Sequence, residues 1–240
     1  MSPINVETGP MFSGKSAELT EIINRRLIGE QQPGKDFLAF NHYKDNRYGE
    51  SIIGAHNGKK VEALPLKNSH QLVEIIFQDL PKDPQQATLE NIKPQYRKLR
   101  AIYIDEGQFF DKDLAVVLDF IDDIFAQRPP EQPSIDIRVA GLDTDFRGEP
   151  FPGPMPDIIA QADHVEKHKA VCTHKDCGNL NATRTQRLVN GRPANYTDPT
   201  VVVGAKENYT ARCKKHHQVP GKSKLSFKEN PASSSSEKDV

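Results

Sequence analysis

The chain has 240 residues, and 32 basic against 33 acidic residues leave a formal net charge of −1, which argues against a polyanion binder. No apolar run approaches the roughly 18 residues needed to span a bilayer. The opening MSPINVETGPMF lacks the basic start and apolar core of a signal peptide, so a cytoplasmic protein without membrane or nucleic-acid partners is expected. The first element in chain order is a strand reduced to about INVET. Residues 16–28 read as an amphipathic helix, with Leu19, Ile22, Ile23 and Leu27 at helical spacing. DFLAF, 36–40, reads as a strand and NHYKDNRYGE as a polar loop. HQLVEIIFQDL, 70–80, is helical. Residues 81–100 are polar, contain three prolines and read as a surface excursion with room for one short helix. AIYIDEGQFF, 101–110, is a short apolar run ending in two carboxylates, as a buried parallel strand would. LAVVLDFIDDIFAQ, 114–127, is helical, and IRVAGL is a further strand. HVEKH reads as part of a helix with His164 and His168 on its surface, and the pairs Arg25-Arg26 and Lys214-Lys215 read as solvated faces. Strands alternating with helices imply an α/β domain around a mainly parallel sheet.

Composition shifts near residue 168. The run from 169 is rich in β-formers, turn residues and metal-ligand types. It implies three parts: an α/β domain over 1–168, a small second domain over 169–221, and a disordered tail over 222–240. The tail, ending NPASSSSEKDV, buries too little apolar surface to offset its ordering entropy.

Two motifs carry chemistry in the first part. Gly9-x4-Gly14-Lys15-Ser16 satisfies the spacing of a phosphate loop. In such a loop backbone N–H groups wrap the phosphates, the lysine reaches the outer ones, and the hydroxyl binds Mg²⁺. The following helix adds its positive N-terminal end. The second motif is IYIDE, a strand ending in Asp, as the Mg²⁺ partner of a phosphate loop requires. Successive strand residues point to opposite faces. If the strand continues, Asp105 faces the ion and Glu106 faces a second substrate, where a carboxylate can accept a hydroxyl proton or orient water.

All three cysteines fall in the second part. Cys172-x4-Cys177 and Cys213-x2-His216 form two knuckle-like pairs, the donor set of a closed structural zinc site, with His174 and His217 as competing ligands. Zinc would staple a small domain that lacks a large core.

Taken in series, these segments resemble the zinc-containing, tetrameric thymidine kinases over roughly residues 6–221. GPMFSGKS, KDNRY at 44–48, EALPL at 62–66, IDEGQFF at 104–110, VAGLDTDFRGEPFPG at 139–153, TRTQRL at 183–188 and VVVGAKENYTARC at 201–213 match family segments in order. The resemblance implies an α/β phosphate-loop fold of the RecA-like kind with a zinc-binding "lasso" that closes over the nucleoside. It implies transfer of the ATP γ-phosphate to the 5′-hydroxyl of thymidine, with deoxyuridine as a second acceptor, in a homotetramer. It makes Glu106 the general base. It places ATP and Mg²⁺ on Gly9, Pro10, Met11, Phe12, Ser13, Gly14, Lys15 and Ser16, together with Arg47, Asp105, Glu106, Gly107 and Gln108. Met11, Phe109, Leu142, Phe146 and Phe151 would line the nucleoside pocket, and Val202, Gly204 and Tyr209 would belong to the closing loop. Zinc would be held by Cys172, Cys177, Cys213 and His216. The chain departs from the family pattern in its four-residue spacing between the first cysteines, its longer 81–100 segment and its short first strand. A phosphate-loop ATPase with water as acceptor is the competing enzyme reading.

Overall fold

The computed structural model describes residues 4–45, 49, 51–54, 58–200 and 209–223. Strand β1 (Ile4–Thr8) leads into helix α1 (Lys15–Ile28) and strand β2 (Phe37–His42). A hairpin of β3 (Ile52–Gly54) and β4 (Lys60–Glu62) precedes β5 (Leu64–Leu66) and α2 (His70–Ile76). Then come β6 (Ala101–Asp105), α3 (Leu114–Ala126), β7 (Asp136–Gly141), α4 (Met155–Gln161) and β8 (His164–Lys167).

Six strands form one parallel sheet in the order β5-β2-β6-β7-β1-β8. Strands β1, β2 and β6 are buried along their whole length, and β6 and the first four residues of β2 accordingly read as near-continuous apolar runs. Alternation sorts their side chains. Val6, Phe40, Ile104 and Val139 pack toward α2, α3 and α4, while Phe37, Ala39, Ala101 and Tyr103 meet Leu19 and Ile23 of α1. The short first strand is no weakness. It is the second strand from one edge, hydrogen-bonded on both sides, to β7 and β8.

Three local expectations are corrected. HVEKH is an edge strand, β8, paired in parallel with β1 from Asn5↔His164 to Thr8↔Lys167. Two histidines four apart fit a helix, but Glu166 and Lys167 suit an exposed edge strand equally well, with Val165 packed against the main core. Residues 81–100 hold three single 3-10 turns, Pro84–Gln86, Leu89–Asn91 and Pro94–Tyr96. The run also buries Ala87, Ile92 and Leu99 in the main core, so it is a cover as well as a surface. These apolar residues follow no helical or strand period, so the pattern hid them. Arg26 is not solvated: it donates to Asp136 Oδ2 at 2.8 Å and, through Nε, to the Tyr103 hydroxyl. Asp136 also bonds Arg138, which reaches the buried Glu7 at 3.3 Å, and His168 Nε2 donates to the other Glu7 oxygen at 2.7 Å. His168 is therefore half-buried and partnered. A buried carboxylate is tolerable only with such partners.

A second sheet is antiparallel, order β10-β9-β11, built from β9 (Arg184–Val189), β10 (Arg192–Pro193) and β11 (Tyr209–Arg212). Its apolar cluster is Ala170, Cys172, Ala182, Ala211 and Cys213, with Cys177 alongside. So little aliphatic bulk cannot hold a unit together by burial alone. The disordered-tail expectation falls, from residue 224 on, outside the described residues.

Candidate active site and metal centre

The chemistry gathers at the carboxyl ends of β1 and β6, with β7 between them. Ligands of open parallel sheets bind at that edge. The phosphate loop leaves β1 after Thr8, whose hydroxyl donates to Gly141 O at 3.0 Å and fixes the exit to β7. Gly9 has φ 139°, and a Cβ there would lie 2.4 Å from the His168 carbonyl oxygen. Only glycine fits so close to the end of β8. Gly14 sits at φ 94° immediately before α1, and no side chain caps that helix. The first N–H groups of α1 thus lack the usual internal acceptor, the condition that favours an anion. Lys15 Nζ donates to Pro10 O at 2.8 Å. Pro10, which has no N–H to offer a phosphate, shapes the loop and anchors the lysine.

The Ser16 hydroxyl donates to Asp105 Oδ1 at 3.1 Å, joining the phosphate loop to the end of β6. Asp105 is buried. Burial first, then the neighbouring Glu106 carboxylate, push it up to about 7. The strand does not continue past it: Glu106 adopts a left-handed conformation, φ 54° and ψ 39°, and opens a 3-10 turn over Gly107–Phe109. The alternation premise therefore fails at Glu106, whose direction is set by the turn. Its N–H donates to Asp105 Oδ1 at 2.9 Å, and its carboxylate accepts from Gln108 Nε2. A non-glycine residue held left-handed beside a buried aspartate is a strained, over-determined position of the kind found at reactive sites.

Of the residues expected around the nucleoside, Phe109 is half-buried and meets Phe151 edge to face at 6.4 Å. Leu142 follows β7, and its N–H is bound to Gln108 Oε1 at 2.9 Å. Phe146 is buried between two guanidinium groups, Arg147 at 4.5 Å and Arg187 at 5.6 Å from its ring centre. Tyr209 opens β11 and is half-buried. Arg47, Val202 and Gly204 lie outside the described residues.

Sequence reasoning missed two participants. Thr185 of β9 accepts the Met11 N–H at 3.0 Å, so the second sheet holds the phosphate loop. No sequence signal links residues 174 positions apart. His42, at the end of β2, is buried against Tyr43, Phe109 and Phe110. Burial lowers it to about 4, and its Nδ1 accepts the Lys44 N–H at 3.3 Å, so it stands neutral behind the Phe109 turn.

In the second unit the donor atoms of Cys172, Cys177, Cys213 and His216 all lie within 4.8 Å of one another. Cys213 Sγ is 3.4 Å and Cys172 Sγ 3.8 Å from His216 Nδ1, and the Cys177 and Cys213 sulfurs are 4.0 Å apart. Zinc–sulfur and zinc–nitrogen bonds of about 2.3 and 2.0 Å in a tetrahedron give edges of roughly 3.5–3.8 Å, so the set fits zinc. His174 is not in it. Its Nδ1 lies 2.9 Å from Lys175 O, and its ring stacks on His216 at 4.0 Å. The longer first knuckle carries His174 outward while the Cys177 N–H, bonded to His174 O, returns the sulfur to the cluster.

A parallel sheet with a phosphate loop on one strand, an Asp-Glu turn on the next but one, and a Cys₃His unit strapped to the loop defines a nucleotide-dependent phosphotransferase with a zinc-binding module. The thymidine kinase family profile matches residues 2–217. A thymidine kinase of Coprothermobacter proteolyticus is 39% identical over 226 residues, which are 94% of this chain and 96% of the relative. The chain belongs to the thymidine kinase family, and membership carries the activity of an enzyme that phosphorylates thymidine with ATP. Among the described residues no helix is long and apolar enough to cross a membrane.

Proposed function

We propose that the enzyme transfers the γ-phosphoryl group of ATP to the 5′-hydroxyl of thymidine, with deoxyuridine as a second acceptor, and so supplies thymidine monophosphate for salvage in the cytoplasm. The observation that carries this reading is the Ser16–Asp105 hydrogen bond, which brings the phosphate loop and the Asp-Glu turn together. Residues 1–168 act as the ATP-binding part, 169–221 as the zinc-bearing part that covers the nucleoside, and the active assembly is a tetramer. Residues 9–16 wrap the ATP phosphates, Lys15 meets the outer ones, and Arg47 offsets charge in transfer. Ser16 and Asp105 would hold Mg²⁺. When bound, it would supply Lewis-acid stabilisation of the charge that develops on the phosphates. The donor set fits it, since a divalent cation offsets the cost of burying Asp105. Glu106, turned away from β6, accepts the hydroxyl proton. Phe109 and Phe151 offer the nucleoside aromatic surface, and a closed, water-poor site suppresses ATP hydrolysis.

A panel of nucleosides with labelled ATP tests the reading. Thymidine is expected to stimulate ATP turnover strongly and to become labelled. Equal turnover without nucleoside would instead make the protein an ATPase. Glu106→Gln is expected to leave ATP binding nearly intact and to lower kcat by about 10²-fold or more, the scale of a lost general base. Near-normal turnover in that variant removes the base from Glu106.

A further inference from the structure

The Gln108 side chain is buried and makes two hydrogen bonds with opposite polarity. Its Oε1 accepts the Leu142 N–H at 2.9 Å, and its Nε2 donates to Glu106 Oε2. The first bond dictates the second. A backbone N–H can meet only the carbonyl end of an amide, so the NH₂ end must face Glu106. Turned over, the amide would set its NH₂ against the Leu142 N–H, donor against donor. Its place beside β7 depends on Gly141, where a Cβ would stand 2.9 Å from Gln108 Oε1 and 2.7 Å from Met155 Sδ. The Gln108 carbonyl end is therefore held by β7, and its amino end is a fixed donor.

From this geometry we propose that Gln108 is a positioning residue for Glu106. The amide holds Glu106 Oε2 and so orients the carboxylate that takes the proton of the substrate hydroxyl. Gln108 then contributes to kcat through Glu106, in place of the ATP contact that the family resemblance implies for it. The proposal rests on Glu106 being the general base.

Gln108→Met keeps the volume and removes both hydrogen bonds. It is expected to lower kcat about 10- to 100-fold, the range for losing a charge-assisted hydrogen bond, while KM for ATP and for thymidine each change by less than about threefold. The decisive measurement is a double-mutant cycle with Glu106→Gln. If Gln108 acts through Glu106, Gln108→Met costs little more in the Glu106→Gln background. An additive loss there, or a rise confined to either KM, overturns the proposal by making Gln108 a general support or a substrate ligand. Thermal unfolding of each variant separates folding failure from loss of alignment. If Gln108→Met fails to fold, Gln108→Glu, which keeps the carbonyl end and sets a like charge against Glu106, is expected to lower kcat at least as far with the same KM pattern. Normal kcat in whichever variant folds overturns the clamp. The two readings fail separately: a fully active Glu106→Gln removes the base, whereas an inactive Glu106→Gln beside a normal Gln108→Met removes only the clamp.

Discussion

Single residues set the two sharpest constraints on the site. Gly9 touches the end of β8 with no space for a side chain. Gly9→Ala, strained both by its positive φ and by the His168 carbonyl, must displace the loop. The expected result is at least a tenfold rise in KM for ATP, with zinc content unchanged. His42 makes a different prediction, about pH. Its folded-state value of about 4 lies below the ordinary 6.5, so the unfolded chain takes up a proton that the folded chain refuses. Stability contributed by the neutral ring is complete above pH 6.5 and is lost as pH falls toward 4. Thermal unfolding at pH 7.5 and 5.5 is expected to show a loss of about 1 kcal/mol from this group. His42→Gln, which does not titrate there, is expected to show a smaller loss than the parent.

Elements differ in how legible they were. Strands β2, β6 and β7 and helices α1 and α3 were written plainly, because a buried parallel strand is a short apolar run and a covering helix repeats its apolar face. Strand β8 was not. It buries little, and its identity comes from the hydrogen bonds β1 lends it. The hairpin β3–β4 and strand β5 are three residues each, too short for any period to register. The phosphate loop and the metal quartet were legible because their chemistry fixes residue types at fixed spacings. The direction of Glu106 was not, because it depends on one left-handed residue. Nor was the bond between β9 and the loop. Thr185→Val removes that bond while keeping the volume. The expected effect is a rise of about fivefold in KM for ATP with thermal unfolding lowered by no more than about 4 °C. An unchanged KM makes Thr185 a passive neighbour.

At the scale of the whole molecule, one part has two apolar layers and the other has almost none. The large sheet is packed on both faces, whereas the small one has alanines and sulfur at its centre. Metal held by Cys172, Cys177, Cys213 and His216 would supply stability that burial in the small sheet does not. Elemental analysis of the purified protein is expected to give about one zinc per chain. Cys213→Ser should lose it and expose residues 169–221 to protease. Because β9 holds Met11, the same variant should also weaken ATP binding. Retained ATP affinity after loss of zinc would show that the loop stands without the small unit.

The position of β1 has a consequence for how the chain reaches this state. Strand β1, the first of its sheet in chain order, pairs among the described residues with β7 and β8, the last two of that sheet. The Thr8–Gly141 bond spans 133 residues and the Met11–Thr185 bond 174. Contacts that distant in sequence form slowly, since loop closure precedes their reward. During synthesis the phosphate cradle must therefore wait, unpaired, until nearly all of the parallel sheet has emerged. ATP binding is thus a late event in the life of the nascent chain, and a fragment ending before β8 would carry the complete loop sequence without a working cradle.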